Sequence, residues 1–499
     1  EPRLAGLVRK ELIRPHPATL KGDEAFRFRH LLIRDAAYDA LPKATRAELH
    51  ERFARWLEKN STDLLEFDEI AGWHLEQAVG YRRELGREVD PELAHSAAAH
   101  LHAAGRRAGA RSDVPAATNL LERALALASG NHRLRLEIAI ELAEQLGYAG
   151  AFARAEEVIG VATDDPTTRP LALLTRLEWR QASDPQSAIR AIDEDLPQLM
   201  EQLTQAGDER GIAKGHLLGC YRFLLACLAE PAAEEARLAA LHAGRAGDQG
   251  LKERALGYYI VQLAVGPAHA SVISRSLDEI ESECPGPFLE ALIGVARAEV
   301  CRLEGDFQTA LELIQRSAER LEGLGMRTLA AAGAFGVTGI QLSAGNPEAA
   351  LEALLRSNAI LEADGERGYR STIQAWMAWV YEALGEPVRA LAACDLCEAL
   401  SVPEDVINSA ITPMVRARVA LADGDGDRAE RLARESVHHA QRTQETVLQA
   451  QVQLGLARVL STLGRRDEAE QEARAALALY QAKGDRPGMA EARAFLEAL

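Results

Sequence analysis

Gly385-Glu386-Pro387-Val388-Arg389-Ala390 decides the fold of this chain, because its pattern returns four more times. The related stretches are Gly305-Asp306-Phe307-Gln308-Thr309-Ala310, Gly345-Asn346-Pro347-Glu348-Ala349-Ala350, Gly424-Asp425-Gly426-Asp427-Arg428-Ala429 and Gly464-Arg465-Arg466-Asp467-Glu468-Ala469. The final alanines stand 40, 40, 39 and 40 residues apart. A period of that length marks a repeat architecture. Small or apolar residues follow each Ala at four and seven positions, as in Cys394 and Cys397 after Ala390, and Ala473 and Ala476 after Ala469. Twelve residues before each Ala stands another small residue: Ala298, Thr338, Ala378, Ala417 and Ala457.

The physical reading is helix–turn–helix. The Gly suits a left-handed residue that closes one helix. The Asp or Asn after it caps the next, and Pro347 and Pro387 suit its first turn. Small residues at i, i+4 and i+7 line one face and let two helix backbones approach. Earlier units are expected around Gly105, Ala117, Leu121 and Ala124, then Ala143, Phe152, Ala155 and Ala162, with weaker ones centred on Ala188, Ala236 and Ser271.

Composition agrees. The 499 residues are 47% hydrophobic and 26% charged, with only 5% aromatics. Ala, Leu, Glu and Arg dominate, and these lose least on entering a helix. The net charge of −18 argues against wholesale binding of nucleic acid or an anionic membrane. Six cysteines are too sparse for a disulfide scaffold, so a reducing, cytoplasmic setting is expected. The longest apolar run, near 329–340, holds Gly333, Gly336, Thr338 and Gly339 and is too short for a membrane span. The chain opens on Glu1 and not on Met, and is expected to be part of a longer polypeptide.

The repeat resembles the tetratricopeptide repeat, which places small residues at its eighth and twentieth positions and an aromatic at the eleventh. Tyr381, Gly385 and Ala390 fit one unit well. The family's Trp at the fourth position is missing, and the period is nearer 40 than 34. The expectation is an all-α, right-handed tetratricopeptide-like solenoid of about ten helix pairs over residues 96–499. One repeat cannot bury its own face, so such an array stacks into a solenoid with a concave surface.

The first sixty residues differ. They carry 13 Lys or Arg against 9 Asp or Glu, whereas the remainder carries 44 against 66. Leu4, Leu7, Val8 and Leu12 mark a short helix. A strand around Leu12–Arg14, a turn through Pro15, Pro17 and Lys21-Gly22-Asp23, a strand Phe26-Arg27-Phe28-Arg29 and a helix from Leu31 to Leu41 follow. That order is the end of a winged helix, assigned to residues 1–60, with linking helices over 61–95.

The stretch Phe26-Arg27-Phe28-Arg29-His30-Leu31-Leu32-Ile33-Arg34-Asp35-Ala36-Ala37-Tyr38, then Leu41-Pro42, Arg46-Ala47-Glu48-Leu49-His50 and Trp73-His74-Leu75-Glu76-Gln77-Ala78, is similar to a known junction. It follows the nucleotide-binding module in bacterial, actinobacterial-type signal-transduction ATPases that end in tetratricopeptide arrays. A class III adenylate or guanylate cyclase often precedes that ATPase. The resemblance implies a regulatory sensor arm, with an upstream nucleotide-binding domain as its partner and ATP or ADP as the parent's nucleotide. It also implies that His30 can approach the β-phosphate of ADP in the parent, where a helix amino end and an imidazole suit an anion.

The chain itself carries little chemistry. It has no Gly-Lys dipeptide and so no phosphate-binding loop, and no cofactor is expected within it. No Gly-x-Ser-x-Gly elbow is present, and no enzyme activity is expected. Cys394 and Cys397 fall on small-residue positions and read as packing, as do Cys220 and Cys227, seven apart on one helical face. Asp423-Gly-Asp425-Gly-Asp427 fails as a calcium loop, with Arg428 and Arg434 where Gly and Glu belong. His95, His100 and His102, and the pair His438-His439, lack ligand spacing. Arg27, Arg29, Arg34, Lys43 and Arg46 form a basic group, read as a solvated or interdomain face and not a nucleic-acid site.

The family's groove positions map onto Glu299, Gly339, Trp379, Arg418 and Arg458, with Arg302, Phe335 and Trp376 in neighbouring rows. Aromatics flanked by arginines are the usual make-up of a binding hot spot. The groove is expected to bind a protein or an acidic or aromatic peptide, or an anionic small molecule. The competing reading packs both tryptophans between repeats. A self-standing scaffold is the alternative function. A helical-toroid enzyme would need carboxylates converging at the solenoid centre.

Overall fold

A computed structural model describes residues 2–17, 25–60, 66–283 and 285–499. The chain divides into two compact units, Glu1–Arg107 with Ala116–Glu141, and Ala108–Pro115 with Leu142–Leu499. Apart from one two-stranded sheet, the described elements are helices.

The first unit begins with helix Pro2–Arg9, strands Ile13–His16 and Ala25–Phe28, and helix Leu31–Asp39. The strands pair antiparallel, with Ile13 opposite Phe28. The turn expected at Lys21-Gly22-Asp23 lies outside the described residues. Helices Lys43–Asn60 and Phe67–Glu84 follow, and a chain of polar rings joins them to helix Leu31–Asp39. The Tyr38 hydroxyl meets His50 Nε2 at 2.8 Å and the Tyr81 hydroxyl at 2.9 Å, and His50 Nδ1 meets His74 Nδ1 at 2.8 Å. The Arg46 guanidinium lies 4.6 Å from the Tyr38 ring centre.

The second unit is a helical-repeat solenoid. Its local rules follow the sequence closely. Gly305, Gly345, Gly385, Gly424 and Gly464 all have φ between 74° and 90°. Asp306 and Asp425 cap the next helix by accepting from the amides of Thr309 and Arg428. Asn346 makes no such side-chain bond, and Pro347 supplies the first turn instead. Ala310, Ala350, Ala390, Ala429 and Ala469 are all fully buried where the second helix of each pair packs against the first. The first helices also pack on the first helices of neighbouring repeats, as Val406–Ala422 does on Gly368–Ala383 and Thr446–Thr462, and so form the inner layer.

Two expectations need correction. Ser271 is exposed, and Ala270, Ile273 and Leu277 form the buried face of helix Ala270–Glu281. The repeat register shifts there because the preceding helix stops at Gly266-Pro267. Cys227 does not share a helical face with Cys220: helix Glu209–Leu225 has ended, and Cys227 takes φ 52° in the following turn. Both are nonetheless buried, as are Cys394 and Cys397. The glycines of the apolar run serve helix contact. Gly333 divides helix Arg327–Ala332 from Ala334–Ser343, a Cβ on Gly336 would stand 3.0 Å from Ile314, and one on Gly339 would stand 3.7 Å from Arg302.

Two measurements check these points. Gly385 has open space around its missing side chain, so Gly385→Ala should cost only the left-handed backbone penalty, about 1 kcal/mol by denaturant unfolding. In the first unit, burial pulls His50 below the ordinary imidazole range and, with the His50 charge, pulls His74 down to about 4. The folded form therefore holds these imidazoles neutral. That stabilisation is complete above about pH 6.5 and is lost as pH falls towards 4. In a chain with isotope-labelled histidines, the His74 resonance should titrate near pH 4; a midpoint near 6.5 would contradict the burial.

Candidate functional site

The inner layer of the second unit departs from the repeat's small, apolar rule. Helices His132–Tyr148, Arg169–Ser183, Glu209–Leu225 and Gln249–Val265 carry Glu144, Glu178, Lys214 and Arg254. These side chains join across the helices into one buried ladder. Lys214, with no exposed surface, reaches Glu144 at 3.0 Å and Glu178 at 2.8 Å. Arg210 spans Glu144 at 2.8 Å and Asp248 at 2.9 Å. Arg254 pairs with Glu144 at 3.2 Å and lies 3.9 Å from the centre of the Tyr148 ring, whose hydroxyl donates to Glu144.

Burial alone would raise both acids. For Glu144 the charges of Lys214, Arg210 and Arg254 outweigh burial and hold the carboxyl down to about 2. Glu178 has fewer cations and the Glu144 charge beside it, so burial wins and lifts it to about 7. Sequence mapping of the groove missed this ladder because it followed only the carboxyl-terminal repeats. The signal was available in the spacing of 144, 178, 214 and 254, which is near one repeat each time.

A second row stands where inner helices begin. Glu366, Asp405, Glu445 and Asp485 lie 39, 40 and 40 residues apart. Glu366 accepts from the amides of Tyr369 and Arg370, Asp405 from Asn408, and Asp485 from Gly488. Three of these carboxylates are thus occupied as helix caps, which does not suit acid–base chemistry on a substrate.

The expected groove residues fall in different settings. Trp379 is buried in the core, and Arg418 lies 4.3 Å from its ring centre while pairing with Glu382 at 3.0 Å. Trp376 is half-buried with its ring centre 6.2 Å from that of Trp379, and Phe335 meets Tyr369 at 6.1 Å. These four residues therefore join the carboxyl-terminal hydrophobic core or flank it. Arg302 is 4% exposed and is held by Glu299 and Asp485, at 2.7 and 3.2 Å, so its charge is used inside the protein. Arg458 pairs with Glu491 at 2.6 Å near the surface. His30 is exposed at the amino end of helix Leu31–Asp39 and makes no capping bond. Arg29, Arg34, Lys43 and Arg46 each lie beside a carboxylate. His100 is bound to Asp68 and Glu58, and His102 to Glu141. Among the described residues no group of three or more His, Cys, Asp or Glu is placed to hold a metal ion. No described helix is long and apolar enough to cross a membrane.

A known structure shares this architecture. A crystal structure of a Rap protein complexed with Competence and Sporulation Factor has a TM-score of 0.52 at 13% identity, over 72% of this chain and 99% of that one. The fold is that of the tetratricopeptide-like repeat solenoids. The Cut9–Hcn1 hetero-tetramer of the APC/C gives 0.49 at 13% identity over 94% of this chain and 93% of that one. Yeast Tom70 gives 0.31 at 12% identity over 92% and 96%. No protein-family model matches the sequence, and no curated protein matches it.

The ladder makes a quantitative prediction. Lys214→Met leaves Glu178 buried without its cation and should cost about 3 kcal/mol, the usual scale for breaking a buried pair. Adding Glu178→Gln should recover most of that loss in thermal or denaturant unfolding. Equal losses for the single and double variants would show that the ladder is not a coupled unit.

Proposed function

We propose that this chain is the signal-binding arm of a larger signal-transduction ATPase, and that the inner layer of its solenoid takes a protein segment or short peptide. The observation that carries the binding role is the contrast between layers. Outer helices meet the inner ones through alanine and other small residues, while the inner helices carry charged residues of both signs, paired with one another, and the partly exposed Arg418 against Trp379. Buried ion pairs are a weak route to stability compared with apolar packing, so their concentration on one layer fits a layer shaped for more than stability, with Arg418 beside Trp379 as the group able to meet a ligand. The fold supports the same reading, since a solved relative in fold is complexed with Competence and Sporulation Factor. The role is regulatory and not catalytic, with the row of carboxylates serving mainly as helix caps.

The ATPase link rests on the helix–strand–strand–helix order ahead of the array, and on His30 standing free of a cap at a helix amino end. In the parent, His30 would face the ADP phosphate, and a bound signal would shift the balance between ADP and ATP forms through its differential affinity for them. The free cysteines fit a cytoplasmic setting.

Two experiments test the proposal. An antibody to this chain should reveal a native polypeptide well above 54.2 kDa on a denaturing gel of source cells. A band at that mass would replace the ATPase arm with a self-standing scaffold. In a screen of short acidic and aromatic peptides, Arg418→Ala should weaken the best binder at least tenfold with helicity unchanged. Unchanged affinity would remove the tryptophan–arginine part of the inner layer from the binding surface.

A further inference from the structure

Residues far apart in sequence meet along one line of the second unit. The Arg367 amide donates to Ala182 O at 2.6 Å, and the Gln444 amide to Cys227 O at 2.7 Å. Gln444 also exchanges hydrogen bonds with Glu230, each 2.8 Å. Lys483 Nζ donates to Ala264 O and Gly266 O, both at 2.6 Å, and Arg302 reaches Asp485 at 3.2 Å. The partners are about 183–219 residues apart, or roughly five repeats. The Ala182 and Cys227 carbonyls lie at or just past the carboxyl end of an inner helix, and the Arg367 and Gln444 amides lie just before the amino end of another; Lys483 instead closes an outer helix and reaches across with its side chain. Successive turns of the solenoid therefore meet along this line, and at 182/367 and 227/444 the carboxyl end of one helix dipole meets the amino end of another.

We propose that this seam is the opening line of the solenoid: the later helices separate from the earlier ones along 182/367, 227/444 and 264–266/483 while every repeat stays folded. The contrast in bonding supports it. Helix pairs within a repeat meet through fully buried alanines such as Ala390 and Ala429. Apart from an apolar cluster where Val114 joins Leu321, Met326 and Ala330, the seam meets through hydrogen bonds, the Arg302–Asp485 pair and three buried titratable groups with no opposite charge in contact. Lys483 has no exposed surface, and its ammonium rests on two carbonyls and not on a carboxylate. Asp405, 5% exposed, is held by the neutral donors Asn408 and Ser371. Glu445, beside the Gln444 contact, has the Cys227 thiol as a near neighbour and no cation in contact. Burying such groups is costly, and hydration on opening returns that cost.

The same groups set the direction of a pH effect. Asp405 faces Tyr221 and Glu445; Glu445 faces Asp405, Cys227, Lys483 and Glu299. Lys483 faces Glu299, Arg302, Glu445 and Asp485. Burial lifts Asp405 and Glu445 to about 7, so the closed seam holds protons that an open one would release near pH 4. Closure is favoured fully below about pH 4, and that advantage is lost as pH rises through 7. Lys483, pushed down to about 8 by burial, starts to lose its proton in the closed seam as pH nears 8, which slightly favours closure and works against the carboxyl effect there.

Residue-resolved hydrogen exchange on the whole chain tests the inference, whether or not the inner layer binds a peptide. The amides of Arg367 and Gln444 should exchange well before those of Ala378 and Ala457 inside the adjoining helices. Relative to those reference amides, seam protection should fall about tenfold per carboxyl between pH 6 and 8. Asp405→Asn keeps a capping oxygen and should flatten part of that fall. Seam amides as protected as the helix interiors at both pH values would overturn the proposal, as would a fall with pH that Asp405→Asn leaves unchanged.

Discussion

The close approach of two helix backbones at the small residue of each repeat is the constraint on which the rest depends. Ala310, Ala350, Ala390, Ala429 and Ala469 have no exposed surface, so a larger side chain there would have to displace packed neighbours. That approach fixes which helix of each pair lies inside. Once the first helices form the inner layer, their polar residues have nowhere to go but towards one another. The ladder of Glu144, Lys214, Glu178 and Arg254 is a consequence of that geometry.

The inner layer then combines two kinds of bonding. Along the solenoid, successive inner helices are joined by apolar packing and by the ladder. Around it, distant helices meet end to end through carbonyls, amides and a few buried charges. The first kind sums over many atoms and holds each repeat to the next. The second consists of separate polar contacts with a polar alternative in water. A solenoid built this way can respond to a ligand as a whole without unfolding any single repeat.

Arg302 and Trp379 show how tertiary context reassigns a residue. Both stand at positions that line the groove in the tetratricopeptide repeat. Trp379 is 9% exposed and forms part of the core with Arg418 across its face. Arg302 is enclosed by Glu299 and by Asp485, 183 residues away in sequence. Position in the repeat predicted which helix each residue occupies. It carried no information on what the next turn of the solenoid would bring against them.

The sequence by itself determined the repeat helices, their left-handed glycine ends and the burial of the small residues in the carboxyl-terminal repeats. Each of these depends on neighbours within a single repeat, where backbone sterics and a period of 3.6 leave little choice. The charge ladder was half legible, since its members recur at repeat spacing but their pairing crosses helices. The seam was decided only by the tertiary structure. Its partners lie some five repeats apart, and whether they meet depends on small rotations accumulated between repeats, which no local pattern of residues records.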